Sequence, residues 1–94
     1  MKYETIDFEL SAWATRHGLQ IFTEYKDCEV RSTEVVGSSG KKCQIWVDRS
    51  NWPATFVIHI WDYKKRKKKL RALKYNITDK LEEAYMTAKS WLDV

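Results

Sequence analysis

Eight cationic side chains crowd into residues 62–74: Lys64, Lys65, Arg66, Lys67, Lys68, Lys69, Arg71 and Lys74, beside one acid, Asp62. Ammonium and guanidinium groups offer positive charge and hydrogen-bond donors but no acceptors, so their counterpart is an oxygen-rich anion. Phosphates of a nucleic acid fit that description, as does an acidic protein surface. Of the 17 basic and 13 acidic residues of the chain, this segment takes eight and one. Nine basic residues then face twelve acidic ones elsewhere, a body of net charge −3. The isoelectric point near 9.1 is therefore set by one short run. A run this dense exceeds what is needed to keep an edge strand from pairing with other chains.

The second chemical resource is aromatic. Five Trp, five Tyr and three Phe are available in 94 residues. Alternation along the predicted strands places Phe22, Trp46, His59 and Trp61 on one sheet face, together with Gln20, Lys42 and Gln44. Nucleic-acid bases stack on exposed rings, and each stack is worth about 1–3 kcal/mol. Trp61 immediately precedes the basic run, so rings and cations could share one surface. The competing expectation is that these rings are core, or are covered by a second copy of the chain.

Other combinations of residues lead nowhere in particular. Gly37-Ser38-Ser39-Gly40-Lys41-Lys42 lacks the four-residue spacing between glycines, and the Ser or Thr after the lysine, that a phosphate loop needs. Its GXXG spacing matches the backbone clamp of KH domains, but that clamp joins helices and this segment joins strands. What survives is a hairpin loop whose amides, with Lys41 and Lys42, could face a phosphate. His17, His59, Cys28 and Cys43 show neither the CxxC nor the HxxxH spacing usual in zinc sites, so no metal or other cofactor is expected. His17 reads as a packing histidine near a helix end. No serine or cysteine has a recognisable base beside it in sequence, and Glu82 and Glu83 point different ways on a helix. A non-enzymatic protein is the expectation.

The elements that must hold these residues follow from periodicity. Ile6, Leu10, Trp13, Ala14 and His17 form a stripe for a helix over 6–17, with Thr5 or Asp7 as cap and Gly18 at its left-handed end. Strands are predicted at 19–26, 29–36, 42–48 and 54–62, joined by a tight turn at Lys26-Asp27, the Gly37–Gly40 loop and a turn over 49–53. Leu70, Leu73 and Ile77 have helical spacing, while Leu73, Tyr75 and Ile77 alternate. The segment after 62 is read as a basic turn at 64–69 and a fifth short strand at 70–76. Asp79 with Glu82 suggests a capping box for a final helix over 80–92. Its stripe is Leu81, Ala84, Tyr85, Ala88, Trp91 and Leu92. The order α-β-β-β-β-(β)-α predicts one α+β domain over 1–94, an antiparallel sheet of four or five strands with both helices on the face of Ile21, Ile45, Val47, Phe56, Ile58 and Ile60.

Composition narrows the class. No stretch approaches a membrane span, and charges in the first twenty residues exclude an apolar signal segment. Two cysteines are too few for a disulfide scaffold, so an intracellular, cytoplasmic protein is expected. The KKRKKK run also has the composition of a nuclear import signal, relevant only if the source or host is eukaryotic. The Asn76-Ile77-Thr78 sequon has no use in such a compartment.

The expectation is a small nucleic-acid-binding protein of low sequence specificity. Lys64, Lys65, Arg66, Lys67, Lys68 and Lys69 would neutralise phosphates, Arg71 and Lys74 extend the track, Lys41 and Lys42 add charge, and Trp46, Trp61, Phe22 and His59 stack bases. Single strand, duplex and RNA are not distinguished. The alternative is a protein-interaction module, either a small inhibitor or immunity-type protein with an acidic partner or a homodimer.

Overall fold

A computed structural model describes residues 2–50 and 55–93. Its elements run α1 (Asp7–Arg16), β1 (Phe22–Tyr25), β2 (Cys28–Val36), β3 (Lys42–Arg49), β4 (Thr55–Asp62), β5 (Lys67–Leu73) and α2 (Ile77–Leu92), with short 3-10 turns at Tyr3–Thr5 and Lys74–Asn76. The five strands form one antiparallel meander in sequence order. The predicted α+β architecture is therefore present, with the fifth strand included. Asn51, Trp52, Pro53 and Ala54, assigned from sequence to a turn and to the start of the fourth strand, lie outside the described residues. No helix among the described residues is long and apolar enough to cross a membrane.

One face of the sheet meets the helices. Val35, Cys43, Ile45, Val47, Phe56, Ile58, Ile60, Leu70 and Ala72 interlock with Ile6, Leu10, Trp13 and Ala14, and with Ile77, Leu81, Ala84, Ala88 and Leu92, in a single buried cluster. The stripes of both helices are thus core, as their spacing requires. Three hydrogen bonds tie the N-terminal segment to the same layer. Tyr3 Oη donates to the Val47 carbonyl at 2.9 Å, and Arg31 binds Asp7 through two bonds of 2.7 and 3.0 Å.

The tight connections have local causes. Lys26 and Asp27 both take positive φ, the backbone that a two-residue hairpin demands. At the end of α1, Gly18 has φ +65, and the Gly18 and Leu19 amides bond back to the Thr15 and Ala14 carbonyls. That is the Schellman pattern, read correctly from Gly18.

Three sequence expectations need correction. Neither Thr5 nor Asp7 caps α1; Ile6 holds that position without a side-chain bond, and Asp7 goes to Arg31 instead. The Asp79–Glu82 capping box is absent. α2 begins three residues earlier, at Ile77, and Glu82 binds Arg16 and His17, each at 2.8 Å. Finally, the basic segment is not a turn over 64–69. The Asp62 carboxylate folds the chain straight back, so pairing resumes at Lys67 opposite Trp61. β5 ends at Leu73, whose amide bonds the Asn76 side chain at 2.7 Å.

Candidate functional site

The second face of the sheet carries no helix among the described residues, and its composition follows from strand alternation. Cross-strand pairing builds three rows. The central row reads Phe22, Ser32, Trp46, His59, Lys69 from β1 to β5. On one side lies Glu34, Gln44, Trp61, Lys67; on the other, Asp48, Val57, Arg71. Lys67, Lys69 and Arg71 therefore point to the same face from alternate positions of an edge strand, all exposed. Their spacing along the strand is about 6.8 Å.

The rings beside this ladder are ordered by their neighbours. Trp46 and His59 stack with centroids 4.8 Å apart and planes within 7°. His59 Nε2 in turn meets Asp48 Oδ2 at 2.8 Å, which holds the imidazole in its plane. Trp61, 37% exposed, stands next to them on the same face. Two hollows flank this group. One, of about 330 Å3, is walled by Trp46, His59, Trp61, Lys67 and Lys69. The other, of about 470 Å3, is walled by Asp48, Ser50, Val57, His59, Lys69 and Arg71. His59 and Lys69 are common to both.

The remaining sequence-assigned residues separate into distinct places. Arg66 is half-buried and its guanidinium is engaged by partners within the fold. Its Nε donates to Asp62 Oδ2 at 2.6 Å, its Nη2 to the Trp91 carbonyl at 3.1 Å, and its guanidinium lies 5.2 Å from the Trp91 ring centroid. It fastens the β4–β5 hairpin to α2. Lys64 and Lys65 are exposed at the hairpin tip, where Lys65 has φ +65. Lys68 alternates to the helix side of β5, where it stays exposed. Lys74 sits in the 3-10 turn after the strand. Lys42 pairs with Glu34 at 3.4 Å and Lys41 lies 5.0 Å over the Tyr63 ring, next to the basic hairpin tip.

Phe22 lies apart. It is on the predicted face and 43% exposed, but four strand spacings, roughly 19 Å, separate it from Lys69. It lines a larger hollow of about 670 Å3 with Glu24, Tyr25, Val30, Glu34 and Trp46. The open face is thus divided: carboxylates of Glu24, Glu34 and Asp48 over β1–β3, where Lys42 pairs with Glu34, and the row of cations over β5. Sequence reading missed this division because the pairing of strands, not their order, decides which charges become neighbours.

The two glycine amides of the 37–40 loop are already taken. Gly37 N–H bonds the Lys41 carbonyl at 2.8 Å and Gly40 N–H the Gly37 carbonyl at 3.0 Å. Among the described residues, no group of three or more His, Cys, Asp and Glu could hold a metal ion. His17 is a packing residue, stacked on Tyr85 at 3.8 Å and bonded to Glu82. Burial, reinforced by Asp62, pushes the Cys43 thiol up to about 11, so it is protonated at neutral pH and poorly nucleophilic. Comparison with protein-family models, with curated proteins and with solved structures finds no match for this chain.

Proposed function

We propose that this chain is a small non-enzymatic nucleic-acid-binding protein whose contact surface is the β4–β5 half of the open sheet face. The observation that carries the reading is the line of Lys67, Lys69 and Arg71 beside Trp61 and the Trp46–His59 stack, on a face that no helix covers among the described residues. The three cations neutralise phosphates, and Lys64 and Lys65 at one end and Lys74 at the other extend the field. Charge supplies most of the affinity, and the rings add contact to bases or sugars. Sequence specificity is low, since lysine is a point charge without base-reading geometry and Arg71 is the one guanidinium of the ladder.

The test is a titration of the purified protein with random-sequence single-stranded DNA, duplex DNA and RNA, read by tryptophan fluorescence at several salt concentrations. The expected result is binding that weakens with salt at a log–log slope of magnitude about 3, with quenching. Absence of binding to all three at low salt would contradict the proposal.

One observation favours a second reading. The 670 Å3 hollow over β1–β3 combines exposed Phe22 and Tyr25 with carboxylates, which suits a protein partner or a second copy better than a polyanion. In that case the basic strand steers an acidic partner, and the protein binds one partner tightly while ignoring bulk DNA.

A further inference from the structure

We infer that the ligand of this face is a single strand with unpaired bases, its backbone running along β5 and its bases lying inward over β4 and β3. This rests on the nucleic-acid reading and deepens it.

Residues two apart on a strand stand about 6.8 Å from each other. Lys67, Lys69 and Arg71 thus form a straight row whose interval is close to that between successive phosphates of an extended strand. Each cation has an inward neighbour on β4 in the same row: Trp61 beside Lys67, His59 beside Lys69 and Val57 beside Arg71. Behind His59 stands Trp46, stacked on it. A backbone held by the row therefore projects its bases onto rings and an apolar side chain.

Trp61 can stack only on a base whose face is free. In a duplex each base is covered above and below by its neighbours, so such a ring has no face to meet. The two hollows divide the work along the strand. The ring-walled one, with Trp46 and Trp61, suits a base; the polar one, with Arg49, Lys69 and Arg71 on its wall against the single carboxylate of Asp48, itself bonded to His59, suits a phosphate. Their shared wall of His59 and Lys69 links the two as base and phosphate are linked. The second backbone of a duplex would fall over Glu24 and the Lys42-paired Glu34 on the other half of the face, where the β5 row of cations has no counterpart among the described residues.

The experiment compares a short fluorescein-labelled oligothymidine with a blunt-ended duplex of equal length, at one salt concentration, for the full chain and for Trp61→Ala and Trp61→Phe. The wild type is expected to bind the strand about tenfold or more tighter than the duplex. Trp61→Ala should remove most of that preference and leave duplex affinity alone; Trp61→Phe, which keeps a ring, should retain it. Thermal melting verifies that both variants are folded. Equal affinity for strand and duplex, or a strand affinity indifferent to Trp61→Ala, overturns the inference and leaves the nucleic-acid reading standing. Failure to bind either probe overturns both.

Discussion

Arg66 has the same charge as Lys65 and Lys67 and a different task. In sequence it is one cation among eight; only the acid four residues before it, Asp62, hints at a partner. The Asp62 side chain is fully buried and accepts bonds from the Lys64 and Arg66 amides as well as from the guanidinium. Burial alone would raise its pKa, but the Arg66 and Lys64 donors and the Arg66 charge hold it below the usual carboxylate range. Glu82 is shifted the same way: burial raises it, and Arg16 and His17 more than offset that. A carboxylate lowered in the folded state contributes stability that is present above its unfolded value, about 4, and is lost as pH falls through the folded value. Thermal midpoints should therefore drop as pH is lowered from about 5 to below 3. Asp62→Asn should cost about 1–3 kcal/mol at pH 7 and flatten that decline, because the buried anion is gone. An Asp62→Asn protein with wild-type stability at pH 7 and an unchanged acid profile would contradict this role.

At the scale of elements, the strands were readable wherever alternation and turn chemistry agreed. Lys26-Asp27, Gly18 and the Gly37–Gly40 loop each punctuate an element, and all three connections stand where residue type demands them. The basic segment was less readable, because lysine and leucine favour helix while the pairing that makes it a strand depends on the distant β4. The capping box failed for a related reason. Glu82 has better partners across the fold, in Arg16 and His17, than in its own helix. Phe22 on β1, Trp46 on β3 and His59 and Trp61 on β4 were placed on the observed face by period alone; the face of Lys67, Lys69 and Arg71 was not legible because 64–69 reads as a turn, and neither the tertiary partners of Arg66 nor the distance of Phe22 from β5 has a sequence signature. Gly18 offers a clean test of the turn chemistry. No atom lies within 4 Å of a Cβ added there, so Gly18→Ala meets no clash, only the left-handed backbone at φ +65. It should lower stability by about 1–2 kcal/mol in denaturant unfolding, and Gly18→Asn by less. Equal stability of Gly18→Ala and the wild type would show that the C-terminal cap of α1 is dispensable.

The whole molecule is a sheet with two unlike faces. One is filled by α1 and α2 and accounts for the apolar core. The other is polar and aromatic, acidic over β1–β3 and cationic along β5. Two readings of the basic run therefore make different demands. If net charge alone attracts a polyanion, any lysine serves as well as another. If the β5 ladder is the contact surface, position decides. The direct measurement is the salt-dependent affinity for single-stranded DNA of two variants of equal net charge. One carries Lys67→Gln, Lys69→Gln and Arg71→Gln; the other carries Lys2→Gln, Lys80→Gln and Lys89→Gln, in the N-terminal segment and α2. Both should fold, since Lys2 and the ladder cations are exposed, Lys80 and Lys89 are only partly buried, and surface charges contribute little to stability. The ladder variant should lose most of its affinity, with the log–log salt slope smaller in magnitude by about 2, while the control variant keeps the wild-type curve. An equal loss in the two variants, or none in either, would contradict the assignment of the β5 face.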